Sequence, residues 1–325
     1  MIERLKQFDW QRDGVLVAFG VFVVYALIFQ GQVFHNPLVW RNMLSSNADI
    51  GLIALGMTLV IIGGGIDLSV GSLFALLGVL GLKMMGDGPT PIGVGWMVGC
   101  GALLGLAQGL VITWGKVVPF VATLVGLLVF RSGALVMANG GTFRSENSNW
   151  SAVASEGVVI PFVSAANGRP VELYWSAFLF LGMAVLLGVL LTRTPYGRRL
   201  VAVGSNEKAA KYAAVKVDQV RVWSYVILGV CTGLAAWVGS AKLNSVPSSN
   251  AGQLYELEAI AAVVIGGTAL TGGRGRIWGT VIGVLFLGMI TTMLVAADVS
   301  TYLQGLVKGG IILVAVLVSR GRTRE

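Results

Sequence analysis

From Ile50 the chain runs apolar through Ile62, meets Gly63-Gly64-Gly65, and resumes as Leu-Ser-Val-Gly behind a lone acid, Asp67. A soluble core helix gains nothing from three consecutive glycines followed by a charge. In lipid, irregular backbone is tolerated at depth only where protein or a water-filled path covers it. The segment therefore reads as a broken membrane helix, and it points to transport.

The rest of the chain supplies enough apolar length for such a protein. Hydrophobic residues make up 55% of the 325 and charged residues 12%, with a mean hydropathy of +0.81, which leaves too little polar surface to coat a soluble globule. A spanning helix needs about 20 apolar residues. The uncharged runs 14–34, 88–115, 173–192, 222–241 and 277–297 meet that length. Five more are shorter or carry one charge: 50–66, 68–82, 117–138 around Arg131, 259–273, and 301–319 around Lys308. The expected fold class is all-α, a polytopic membrane protein of about ten helices, some short or broken, forming a single transmembrane domain over residues 1–325.

Charge placement orients these spans, because Lys and Arg gather on the cytoplasmic side. With an inside N-terminus, sixteen fall in inside segments, against five outside: Arg41, Lys83, Arg144, Arg169 and Lys242. Both termini are therefore expected in the cytoplasm. The net charge of +8 follows from this orientation, and with no soluble domain left over, a nucleic-acid-binding surface is not expected. The basic start before an apolar stretch resembles a leader, but the run is about twice a signal core in length and no small-residue cleavage site follows, so it reads as the first span. Cys100 and Cys231 both fall inside spans, which argues against a disulfide or a zinc site. His35, the single histidine, falls in an outside loop and reads as a solvated residue.

Two loops are long enough to hold structure. The outer one, 139–172, is polar and carries Asn147, Asn149 and Trp150; it reads equally as a contact for an outside partner and as plain surface. In the inner one, 193–221, Asn206 suits a helix N-cap and Glu207 suits the positive end of the helix dipole. A short helix is expected there, with Ala209, Ala210, Ala213 and Ala214 as a small-residue face and Lys208 and Lys211 at the aqueous surface. Such a helix either docks into a partner or is an ordinary surface helix.

Three segments resemble one family. They are Ala-Leu-Gly-Met-Thr-Leu-Val-Ile-Ile-Gly-Gly-Gly-Ile-Asp-Leu-Ser-Val-Gly-Ser at 54–72, Thr194-Pro-Tyr-Gly-Arg with Val203-Gly-Ser-Asn-Glu-Lys-Ala-Ala, and the run from Tyr255-Glu-Leu-Glu to Gly266-Gly-Thr-Ala-Leu-Thr-Gly-Gly-Arg-Gly. In that order they are similar to the permease subunit of bacterial ABC importers for ribose, xylose, arabinose, galactose and related sugars, over nearly the whole chain. The family usually has a second proline before Pro119, a glycine where Val125 stands, and a glycine where Ala214 closes the inner helix.

The resemblance implies a protein of the bacterial inner membrane that works with a cytoplasmic ATPase, a periplasmic sugar-binding protein and a second permease chain in a homodimer, all set in membrane lipid. It implies no cofactor on this chain, ATP and magnesium being used by the ATPase. Gly272-Gly-Arg-Gly-Arg lacks the Lys-Ser/Thr of a phosphate-binding loop, in keeping with hydrolysis elsewhere. Coupling to the ATPase is assigned to Gly197, Arg198, Asn206, Glu207, Ala209, Ala210 and Lys211.

A neutral sugar needs weak hydrogen bonding along its path, where an ion would call for rings of charge. The candidates for path or gate are Gly63, Gly64, Gly65, Asp67, Ser69, Gln108, Thr123, Gly266, Gly267 and Thr268; small and hydroxyl residues also serve where membrane helices touch. Asp67 either caps the next helix with Ser69 near the inner surface or contacts the solute, an ionisable group in a span being a functional hypothesis by default. Arg131 and Lys308 either snorkel to a surface or pair with a buried acid. An ion-coupled secondary transporter is the alternative reading, although it would carry more intramembrane carboxylates. A membrane enzyme would need a catalytic constellation that the spans lack.

Overall fold

The computed structural model describes residues 10–147, 149–164, 168, 170–300, 303–310 and 313. Its helices are α1 (Trp10–Phe29), α2 (Gly31–Phe34), α3 (Pro37–Ser46), α4 (Ala48–Ile62), α5 (Val70–Met85), α6 (Thr90–Thr113), α7 (Pro119–Met137), α8 (Ala152–Ser155), α9 (Trp175–Arg193), α10 (Pro195–Ser205), α11 (Glu207–Tyr212), α12 (Val217–Leu243), α13 (Tyr255–Ile265) and α14 (Ile277–Ala296). Residues 303–310 are also helical. The expected span 301–319 lies mostly outside the described residues, as do Arg4, Lys6, Arg169, Arg320, Arg322 and Arg324.

Among the described residues, α6, α7, α9, α12 and α14 are long and apolar enough to cross a bilayer. The pair α3 and α4, bent by 51° at Asn47, makes a sixth candidate. The chain is mostly helical, as expected, and two short antiparallel strand pairs that the sequence reading did not foresee are added to the helices. β1 (Thr142–Arg144) pairs antiparallel with β4 (Ser245–Pro247), and β2 (Gly157–Ser164) with β3 (Pro170–Tyr174). The 139–172 segment is thus folded, and Trp150 is fully buried, its indole N–H donating to Ser240 Oγ at 3.1 Å. That rules Trp150 out as an exposed contact for a partner.

At 1.5 Å per residue the fifteen residues of α4 rise about 22 Å, less than the roughly 30 Å of hydrocarbon. Fourteen of the fifteen are buried. A helix apolar on every side belongs in the middle of a bundle, and α9, α10, α12, α13 and α14 pack around this one. The outer helices bury one face and turn large apolar side chains away from the protein, among them Leu103, Leu128 and Leu186, about 60% exposed each at 64%, 62% and 58%. Such faces suit lipid.

The tightest packing joins α6 to α12. Gly101, Gly105 and Gly109 recur every fourth residue, and a Cβ at Gly101 or Gly105 would strike the carbonyl of Gly229 or Tyr225 across the interface. Small residues at this spacing let membrane helices approach backbone to backbone. Helix α12 is thus held in backbone contact with α6 and also packs along α4, and the irregular backbone lies beyond the ends of these helices.

Candidate functional site

The glycine breaks that end α4 and α13 are linked through a third glycine stretch, residues 272–275. Gly64 (φ +81°) and Gly267 (φ +85°) take left-handed backbone angles that other residues adopt at a cost, so each helix stops and its chain turns aside. The third glycine stretch closes the contact. Gly273 N–H donates to the Ile62 carbonyl at 2.9 Å, and Gly272 lies against the Gly64 backbone. A Cβ at Gly275 would stand 2.7 Å from Thr268 Oγ1. Ile62, Gly64 and Thr268 thus meet around residues 272–275, with Gly63 and Gly65 beside Gly64 in the chain and Gly267 beside Thr268, whereas Gly266 packs on Gly279.

Beyond that junction the chain runs on to a polar chain of three side chains. Asp67 Oδ1 accepts the Ser69 backbone N–H at 2.7 Å and the Ser69 hydroxyl at 2.6 Å. Gln108 Nε2 in turn donates to Ser69 Oγ at 2.8 Å. All three are buried, and a Cβ at Gly126 of α7 would strike Gln108. The expected capping needs correcting. Helix α5 begins at Val70, Ser69 makes no side-chain cap, and Asp67 instead closes a tight turn ahead of the helix. Thr123 does not join this group through its hydroxyl, which donates to the Pro119 carbonyl of its own helix. Gln108 Oε1 and Thr268 Oγ1 are buried without a hydrogen-bond partner among the described residues.

The basic 193–221 segment builds two helices. Thr194 caps α10, with Pro195 at its first position, and Asn206 Oδ1 caps α11 by accepting Ala209 N–H at 3.0 Å. Helix α11 is only six residues long, so Ala213 follows it as its C-cap and Ala214 leaves it with φ +57°. The expected four-alanine face is therefore reduced. Ala210 is buried in its own chain, and Gly197 is buried where a Cβ would strike the Leu191 carbonyl; neither is free to dock a partner. Arg198, Lys208, Ala209, Lys211 and Tyr212 remain exposed, Tyr212 at 92%.

These helices bear directly on the glycine junction. Gly204 of α10 packs on the Ile62 carbonyl and Gly273, Leu200 lies against Gly63, and Ser205 Oγ reaches the Gly273 carbonyl at 3.4 Å. Glu207 of α11 pairs with Lys211 at 2.6 Å and with Arg221 of α12 at 2.8 Å. Arg221 Nε then makes a long hydrogen bond, 3.4 Å, to the Gly63 carbonyl. The hydrogen bond from Lys211, opposed by partial burial and helped by Arg221, holds the Glu207 carboxyl below the usual carboxylate range. The role of Arg221 was missed in the sequence, where it reads as one more inside charge.

Other charges are paired as well. Arg131 does not reach for a surface: its Nη1 donates to the carbonyls of Ser248 and Ala251 at 3.0 and 2.9 Å. Lys308 pairs with Glu258 at 3.1 Å. Asp49, 3% exposed, pairs with Lys242 at 2.7 Å and accepts the Tyr255 hydroxyl at 3.3 Å. Asp67 is thus not the lone buried acid of the helices.

Residues 40–316 match the family described as branched-chain amino acid transport system / permease component. The ribose import permease protein of Bacillus subtilis is 41% identical over 319 residues, 96% of this chain and 95% of its own length. The ribose import permease protein of Escherichia coli K12 is 37% identical, over 85% of this chain and 84% of its own. The xylose transport system permease protein of Haemophilus influenzae is 31% identical over 99% of both chains. No solved structure matches.

Proposed function

This chain belongs to the branched-chain amino acid transport system / permease component family, and on that premise we propose that it is the membrane subunit of an ATP-driven importer of a monosaccharide. It is a multi-pass membrane protein and a permease with no ATPase motif of its own. A cytoplasmic ABC ATPase supplies the energy and consumes the ATP and magnesium; a periplasmic binding protein delivers the sugar. The finer reading is ten spans in the bacterial inner membrane, both termini in the cytoplasm, and two copies of the chain forming a lipid-embedded homodimer around the path.

One observation carries the mechanism. Helix α10 of the basic loop is wedged at once against the glycine break of α4, at Gly63, and against the third glycine stretch, at Gly273. A push from the ATPase on the exposed face of α11, Lys208, Ala209 and Tyr212, passes through Glu207 and Arg221 to the Gly63 carbonyl. Breaks of irregular backbone absorb dihedral change where regular helices resist it. Moving residues 63–69 would displace Asp67 and Ser69 from Gln108, exposing neutral hydrogen-bonding groups to a sugar that must bind weakly enough to leave.

Proteoliposomes that hold the permease with its ATPase and binding protein test the reading. Uptake of a radiolabelled pentose or hexose should require ATP and should fall at least tenfold in Arg221→Gln, with the ATPase still co-purifying. Uptake driven by a proton or sodium gradient without ATP would establish a secondary transporter instead.

A further inference from the structure

Where α12 ends, remote from Arg221, the structure has a cleft of about 390 Å³, inside the range of roughly 300–1,000 Å³ of small-molecule sites. Asp49, Phe74, Lys242, Asn250, Gln253 and Tyr255 line it. Its charges cancel, because Asp49 and Lys242 pair at 2.7 Å, and Lys242 Nζ also donates to the Ser46 carbonyl at 2.6 Å. A cleft with strong donors and acceptors but no net charge favours a neutral, hydrogen-bonding solute over an ion. Phe74 and Tyr255 stand in its wall with ring centroids 5.1 Å apart, and aromatic faces of this kind accommodate the C–H faces of a pyranose or furanose ring. Asn250 and Gln253 are exposed at the mouth, and each amide offers both donors and an acceptor.

The backbone around the cleft is unusual too. Leu254, between Gln253 and Tyr255, holds φ +64° with 55% of its surface exposed. A bulky residue at positive φ is an outlier of the sort that persists at ligand clamps. The floor leads inward, since Gly252 packs against the Gly71 backbone, two residues past Ser69 of the buried polar chain.

We propose that this cleft is a receiving site for a neutral sugar, held by Asn250, Gln253, the Tyr255 hydroxyl and the Asp49–Lys242 pair before it passes towards Ser69 and Gln108. The inference rests on the reading of the chain as a sugar permease and adds where the sugar is first held.

Saturation-transfer NMR on the purified full chain, with D-ribose, D-xylose and D-allose as probes and no ATP, tests it. At least one sugar should bind the wild type. The double variant Asn250→Ala with Gln253→Ala should weaken that binding about tenfold, since two amide contacts are lost, and Tyr255→Phe should weaken it while keeping the ring. Both variants leave the buried ion pair in place. Wild-type binding to none of the three sugars, or equal binding by wild type and double variant, overturns the inference, even with normal ATP-dependent uptake in proteoliposomes. Binding that follows the expected order without ATP-dependent uptake upholds the cleft and overturns the importer reading instead.

Discussion

Ala214 holds a left-handed backbone, φ +57°, just after α11, a conformation that costs an L-residue roughly 1–2 kcal/mol and glycine almost nothing. Ala214→Gly should therefore stabilise the purified protein by about 1 kcal/mol, read as a higher midpoint of thermal unfolding; a lower midpoint would show that the turn is not strained. This is the position at which the resembling family carries glycine, and the dihedral angle supplies the reason. At Asp67 the geometry separates two substitutions. Asn keeps the oxygen that accepts the Ser69 N–H and hydroxyl, so Asp67→Asn should express, assemble and transport close to normally. Asp67→Ala leaves two buried donors unpaired and should cost about 2 kcal/mol. An assembled Asn variant with no uptake would show that the charge itself is needed. The presence of an acid behind three glycines was legible in the chain, but its geometry was not: a turn made two residues before a helix and a cap made at its start have nearly the same sequence.

At the scale of the elements, the glycines separate into two mechanical kinds. A Cβ at Gly64 meets nothing within 4 Å, so only its dihedral matters, whereas a Cβ at Gly105 meets the Tyr225 backbone and Gly20 of α1 meets neither restriction. Gly20→Val should be mild, Gly64→Val should remove uptake while the protein still assembles, and Gly105→Val should lower expression by parting α6 from α12. Equal effects at Gly20 and Gly64 would mean that the break is ordinary packing. The short helix α11 has a pH signature of its own. Because folding lowers the Glu207 pKa, the stabilisation is fully present above the ordinary glutamate value, about 4.3, and is lost as pH falls through the lower folded value. Carbon-13 NMR of the Glu207 carboxyl should give a midpoint below the ordinary value, and Lys211→Met should raise it more than Arg221→Gln does. The long helices were readable because hydropathy averages over a window that they fill. The strands were not, since β1 and β4 are three residues each and pair across a separation no window covers. The Asp49–Lys242 pair escaped for the same reason, its partners standing 193 residues apart.

For the whole molecule, the two ends of the packed helices α4 and α12 gather different chemistry. One gathers the glycine breaks under α10, where Arg221 ties α11 to Gly63; the other holds the neutral cleft beside Asp49 and Lys242. On the proposed mechanism, the glycine-packed helices α6 and α12 between them would carry a push at one end to the other. The pairing of Thr142–Arg144 with Ser245–Pro247 has a further consequence, for biosynthesis. When the ribosome has delivered β1 and even all of α7 through α12, its strand partner does not yet exist. The sheet of β1 and β4 must therefore form after α12, the twelfth helix of the described series, has been made. Ribosome-stalled chains ending before Ser245 should therefore be cut by external protease near Arg144, and chains long enough to carry Pro247 clear of the ribosome and translocon should resist, which makes the appearance of protection a clock for this step of assembly.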